Sequence, residues 1–174
     1  MLRIRRMSRA SGALVVAAAL LAPAAAYGTG SLPGNQEGRM TGGGSFFTSK
    51  GARITHGFEL RCPGTNGPQR LEVNWGKGNR FHLTDLPTNR IRCTDSAEWE
   101  EGNPEAGFDT YRGVGTGRLN GKAGATIDFK FGDGGERGTE DIVRMIIRDA
   151  DGNLVLGVVP QRKLHFGNHQ AHGH

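Results

Sequence analysis

Aromatic side chains are scarce in this 174-residue chain, 7% of the whole, and only two of them are tryptophan. Cysteine occurs twice, at Cys62 and Cys93, too few for the disulfide-dense frameworks that hold very small secreted domains together. No apolar run is long enough to cross a bilayer: the longest, Ala13 to Leu21, has about half of the ~20 residues a spanning helix needs. Signatures of common enzymes are absent as well. There is no His-Glu-x-x-His, no Gly-x-Ser-x-Gly, no phosphate loop, and no Gly-x-Gly-x-x-Gly placed between a strand and a helix. A helical period is missing from every stretch of ordinary helix length.

What is present begins with the N-terminus. Arg3, Arg5, Arg6 and Arg9 precede the apolar run, and Pro23 and Ala24-Ala25-Ala26 follow it. That order of charged, apolar and small residues is a secretory signal, with cleavage expected near Ala26. The residues after Arg5-Arg6 continue a twin-arginine signal poorly, which favours general secretion. The signal also carries the chain's excess charge. Without its four arginines, 18 basic residues stand against 17 acidic ones, so a net charge of +5 falls to +1. Binding to nucleic acid needs a basic footprint that processing removes here. An exported chain meets an oxidising compartment, and two cysteines allow one pairing, so a Cys62–Cys93 disulfide is expected.

Glycine is abundant, 29 residues, with no collagen-like period. Interior glycine penalises helices by about 1 kcal/mol relative to alanine and supplies positive-φ turns. The pattern predicts strands instead. Ile54, His56, Phe58, Leu60 and Cys62 fall on one face, and Arg53, Thr55, Gly57, Glu59 and Arg61 on the other, the period of a half-buried strand. Leu71/Val73/Trp75, Phe81/Leu83, Ile91/Cys93 and Ala125/Ile127/Phe129/Phe131 alternate in the same way. Asn120-Gly121 is a strong type I′ hairpin signal, and residues 149–153 suit a loop between strands over 142–148 and 154–159. The reading is an all-β, antiparallel β-sandwich of about eight strands behind a cleaved N-terminal signal helix. Its expected parts are a signal peptide (1–26), a flexible leader (27–38), the β-sandwich domain (39–166) and a loose His-containing tail (167–174).

Four segments carry a resemblance. They are Met40-Thr41-Gly42-Gly43-Gly44-Ser45, Thr55-His56-Gly57-Phe58, Gly113-Val114-Gly115-Thr116-Gly117 leading into Asn120-Gly121, and 147–155. In that order they resemble the small β-domain that follows choice-of-anchor regions in bacterial surface proteins, and related small secreted proteins. The resemblance implies an extracellular β-sandwich and brings no catalytic residues with it.

Candidate chemistry is correspondingly thin. Gly113, Gly115 and Gly117 share one strand face, where they would admit a neighbouring backbone or relieve crowding. His56, on the apolar face of the best strand, reads as a hydrogen-bonded core residue. Trp99 and Tyr111 are candidate exposed rings for stacking on sugar. Asp149, Asp151 and Asn153 present alternate oxygen ligands that suit calcium, but they are equally ordinary turn residues. His165, His169, His172 and His174 form a tract open to opportunistic binding of a transition metal. The acidic loop of Asp95, Glu98, Glu100, Glu101 and Glu105 reads as a solvated charge run. The functional expectation is a secreted, non-catalytic binding or cell-envelope interaction module without a resident cofactor, its partner an envelope glycan or another extracellular protein. A carbohydrate-binding module is the alternative, and a hydrolase using the acidic loop the third reading.

Overall fold

Alternating apolar residues produce strand after strand, each joined to the next by a short turn. The structure is a computed structural model and describes residues 35–97, 106–135 and 138–173. Ten strands follow in chain order: β1 (Arg39–Phe47), β2 (Arg53–Arg61), β3 (Arg70–Trp75), β4 (Asn79–Asp85), β5 (Ile91–Thr94), β6 (Thr110–Leu119), β7 (Lys122–Gly132), β8 (Ile142–Arg148), β9 (Leu154–Lys163) and β10 (Phe166–His172). They form one antiparallel sheet in the order β10-β1-β2-β3-β4-β6-β7-β8-β9. β4 and β5 share an edge of β6, β4 along Thr116–Leu119 and β5 along Thr110–Gly113.

The expected two-sheet sandwich of about eight strands is corrected by this topology. In a nearly sequential meander most strands pair with a chain neighbour, while β10 returns to pair with β1. The sheet curls into a half-barrel and buries its own concave face. Alternation of apolar and polar residues is common to both architectures, because either buries one face of each strand. The core is that concave face, with Met40, Phe46, Ile54, Leu60, Leu71, Val73, Phe81, Ile127, Phe129, Phe131, Met145 and Ile147 all buried. Glycines on β6 make the curl possible. A Cβ on Gly115 would lie 2.5 Å from the Asp85 carbonyl oxygen, and one on Gly113 2.6 Å from the Phe129 ring. The Asn120-Gly121 turn has φ of 51° and 83°, the positive pair that a type I′ hairpin requires.

Two strands are additional to those expected, and both are poor in apolar residues. β1 holds three consecutive glycines, and β10 reads Phe-Gly-Asn-His-Gln-Ala-His. The tail expected to be loose from residue 167 is therefore mostly strand, paired with β1 from Arg39↔His172 to Ser45↔Phe166. The end of the leader is tied down too. Gln36 N–H donates to the Cys93 carbonyl at 3.0 Å, and Cys93 N–H to Asn35 Oδ1 at 3.0 Å. Backbone hydrogen bonding supplies in both places what hydrophobic pattern does not. Cys62 and Cys93 form the expected disulfide, with both sulfurs in the core and Cα atoms 5.9 Å apart. No helix among the described residues is long and apolar enough to cross a membrane. The signal segment and most of the leader lie outside the described residues.

Candidate functional site

The interior holds a polar cluster built on two histidines. His56 projects inward from β2 because it shares the parity of Ile54 and Phe58. His169 projects inward from β10, two strands away, and is fully buried. Between them runs β1, whose inward positions are Gly42 and Gly44, paired with His169 and Gly167 on one side and with Phe58 and His56 on the other. With no side chains there, the imidazoles meet across β1 at 2.7 Å between their Nε2 atoms. Gly42 has a further reason to be glycine: φ is +143° and a Cβ would sit 2.2 Å from the Asn168 carbonyl oxygen.

Hydrogen bonding assigns the protons. His169 Nδ1 lies 3.1 Å from the Gly132 carbonyl oxygen, which can only accept, so Nδ1 carries the hydrogen and Nε2 the lone pair. His56 Nε2–H then donates to His169 Nε2, and His56 Nδ1 is left buried without a partner. Burial drives both rings toward the neutral form, His56 to a pKa of about 3 with help from His169, and His169 to about 4. Phe58 and Phe131 pack on the pair, with ring centroids 5.0 and 5.3 Å from His169. The cluster is therefore a lock between β2 and β10, as expected for His56; His169 as its partner escapes a sequence reading that places residue 169 in a tail.

Two aspartates complete the lock. Among the described residues, no strand pairs with the edge of β10 turned away from β1; instead His169 N–H donates to Asp141 Oδ2 at 2.5 Å and Ala171 N–H to Asp133 Oδ2 at 2.8 Å. Burial raises Asp141 to a pKa of about 6 against the pull of the backbone donors at His169 and Gly134. No sequence motif marks this arrangement, since carboxylates replacing a strand partner depend on where the chain returns.

The remaining predicted residues are scattered. Tyr111, expected at the surface, is fully buried and donates its hydroxyl to the Arg61 carbonyl at 2.9 Å; its position on β6 faces the core, so it is no sugar platform. Trp99 and His174 lie outside the described residues, as do Glu98, Glu100, Glu101 and Glu105 of the acidic loop. Asp149 accepts the backbone N–H groups of Asp151 and Asn153 at 3.0 and 2.8 Å and the Asn153 amide at 3.1 Å. Its oxygens thus serve the turn. In the histidine tract, His165 is exposed beside Phe47, His169 faces the core, and His172 faces outward to Thr41 Oγ1 at 2.8 Å. Strand geometry divides the tract between faces. Among the described residues, no three His, Cys, Asp or Glu side chains gather as a metal set.

The outer face offers the roomier surface. Gly57, Glu72 and His82 are directly opposite one another across β2, β3 and β4, and the absent side chain of Gly57 leaves a depression of about 470 Å³. Glu59, Gln69, Arg70, Glu72 and His82 line it. Glu72 holds Arg80 at 2.5 Å and His82 at 3.1 Å, and Arg80 keeps its carboxyl below the usual range. No protein-family model, curated protein or solved structure matches the chain.

Proposed function

We propose that the protein is an exported, non-catalytic binding module of the cell envelope, and that it engages its ligand through the outer face of β2, β3 and β4. The depression over Gly57 carries this reading. It is open, and it is lined by paired acids and bases that offer donors and acceptors to a hydrophilic ligand while leaving little net charge. The groups with strongly shifted pKa values do not compete for the role. His56 and His169 are sealed in the core and occupied by each other, where a solvent-borne substrate has no access. Export is supported by the order of residues in the N-terminal segment and by the disulfide. A glycan is the ligand class favoured by a polar, shallow, weakly charged surface.

Gly57→Tyr is the direct test. A Cβ at this position meets nothing within 4 Å, so the ring can occupy the depression without disturbing the strand. On a glycan array and on isolated envelope fractions, wild type should bind and G57Y should bind at least tenfold more weakly at unchanged melting temperature. Equal binding by the two proteins would remove this face from the mechanism.

A further inference from the structure

We propose that the pocket where His172, Arg39 and Arg61 meet binds a single oxyanion, the carboxylate, sulfate or phosphate group of an acidic ligand. The proposal does not depend on the depression over Gly57. Strand register creates the site. Arg39 on β1 is paired directly with His172 on β10 and with Arg61 on β2, so three basic side chains stand in one row across three adjacent strands. Arg39 and Arg61 are like charges directly opposite in the sheet, an arrangement that is destabilising without a compensating anion.

Compensation is incomplete. Arg61 has an ion pair with Glu59, whose other oxygen is 4.0 Å from Arg70. Arg39 has no carboxylate partner among the described residues, and Arg61 Nε is buried without an acceptor. The side chains line an open pocket of about 200 Å³, bordered also by Thr65, Gly38 and Gly173, a volume suited to one oxyanion group with the rest of its molecule outside. Guanidinium groups bind such anions through paired, charge-assisted N–H donors. His172 reports on the site, because burial and the charge of Arg39 both disfavour its protonated form, with Asp133 opposing them. An anion between the two side chains reverses the effect of Arg39.

The test follows the imidazole signals of His172 by NMR in the purified protein at constant ionic strength. Sodium phosphate, sodium sulfate and sodium acetate are titrated separately against sodium chloride. At least one oxyanion should give a saturating shift, and which one saturates at the lowest concentration names the group. Arg39→Gln, at an exposed position, should weaken that binding at least tenfold, while Arg118→Gln, elsewhere on the outer face, should leave it unchanged. A response no larger than that to chloride, or an R39Q curve superimposable on wild type, overturns the proposal. G57Y should retain the response, which separates this site from the one proposed above.

Discussion

At the residue scale, the two buried histidines set the response to acid. In the unfolded chain both titrate near pH 6.5; in the fold they hold pKa values of about 3 and about 4. The unfolded state thus takes up protons first as pH falls, so the stability these groups contribute is complete above about pH 6.5 and is lost on the way down to about 4 for His169 and about 3 for His56. Asp109 and Asp141 act in the opposite sense. Burial raises both to about 6, so the folded state takes up their protons first and gains stability as pH falls from about 6 toward 4. His56→Leu separates the two effects. At pH 7 the variant should be about 1–3 kcal/mol less stable, because His169 Nε2 loses its donor. That gap should narrow as pH is lowered from 7 to 4, since one histidine's contribution is gone from the variant. Urea unfolding at several pH values measures it, and a gap that stays constant would show that other groups control the response.

At the scale of elements, the last strand decides whether the half-barrel holds. β10 buries His169, occupies the edge of β1 through seven paired positions, and is pinned on its other side by Asp133 and Asp141. A chain ending at Phe166 keeps only the Ser45↔Phe166 pair and leaves Oδ2 of Asp133, Oδ2 of Asp141 and the His56 N–H without the partners that β10 supplies. Each such buried polar group costs about 1–3 kcal/mol, and typical domains are stable by only about 5–15 kcal/mol. Truncation after Phe166 should therefore abolish the cooperative thermal transition and the near-ultraviolet circular dichroism. A truncated protein with its melting temperature intact would mean that β10 is an accessory. The same element explains what was hard to read in sequence. Amphipathic β2 and β7 announce themselves by alternation. β10 carries its inward histidine between Asn168 and Gln170, and its stability comes from partners 28 to 131 residues away.

For the whole molecule, the disulfide joins the end of β2 to β5 across a separation of 31 residues. Loop-closure entropy assigns such a link about 3–4 kcal/mol. Replacing Cys62 and Cys93 together with serine should lower the free energy of unfolding by about that amount, read from the urea midpoint with the slope taken into account. A loss well under 1 kcal/mol would show that the hydrogen bonds of Asn35 and Gln36 to Cys93 already hold this corner.

Local chemistry by itself determined the strand content, the Asn120-Gly121 hairpin, the inward side of most strands and the cysteine pairing. Each follows from residues near in sequence or from there being one possible partner. Tertiary structure alone decided that the strands make one curled sheet, that Gly42 and Gly44 clear a passage, and that His56 and His169 meet through it. It also turned Tyr111 inward and set Arg39 between His172 and Arg61. Those outcomes depend on which strands become neighbours and in which register. A shift of one residue along β10 would carry His169 to the outer face, because side chains alternate with a period of two.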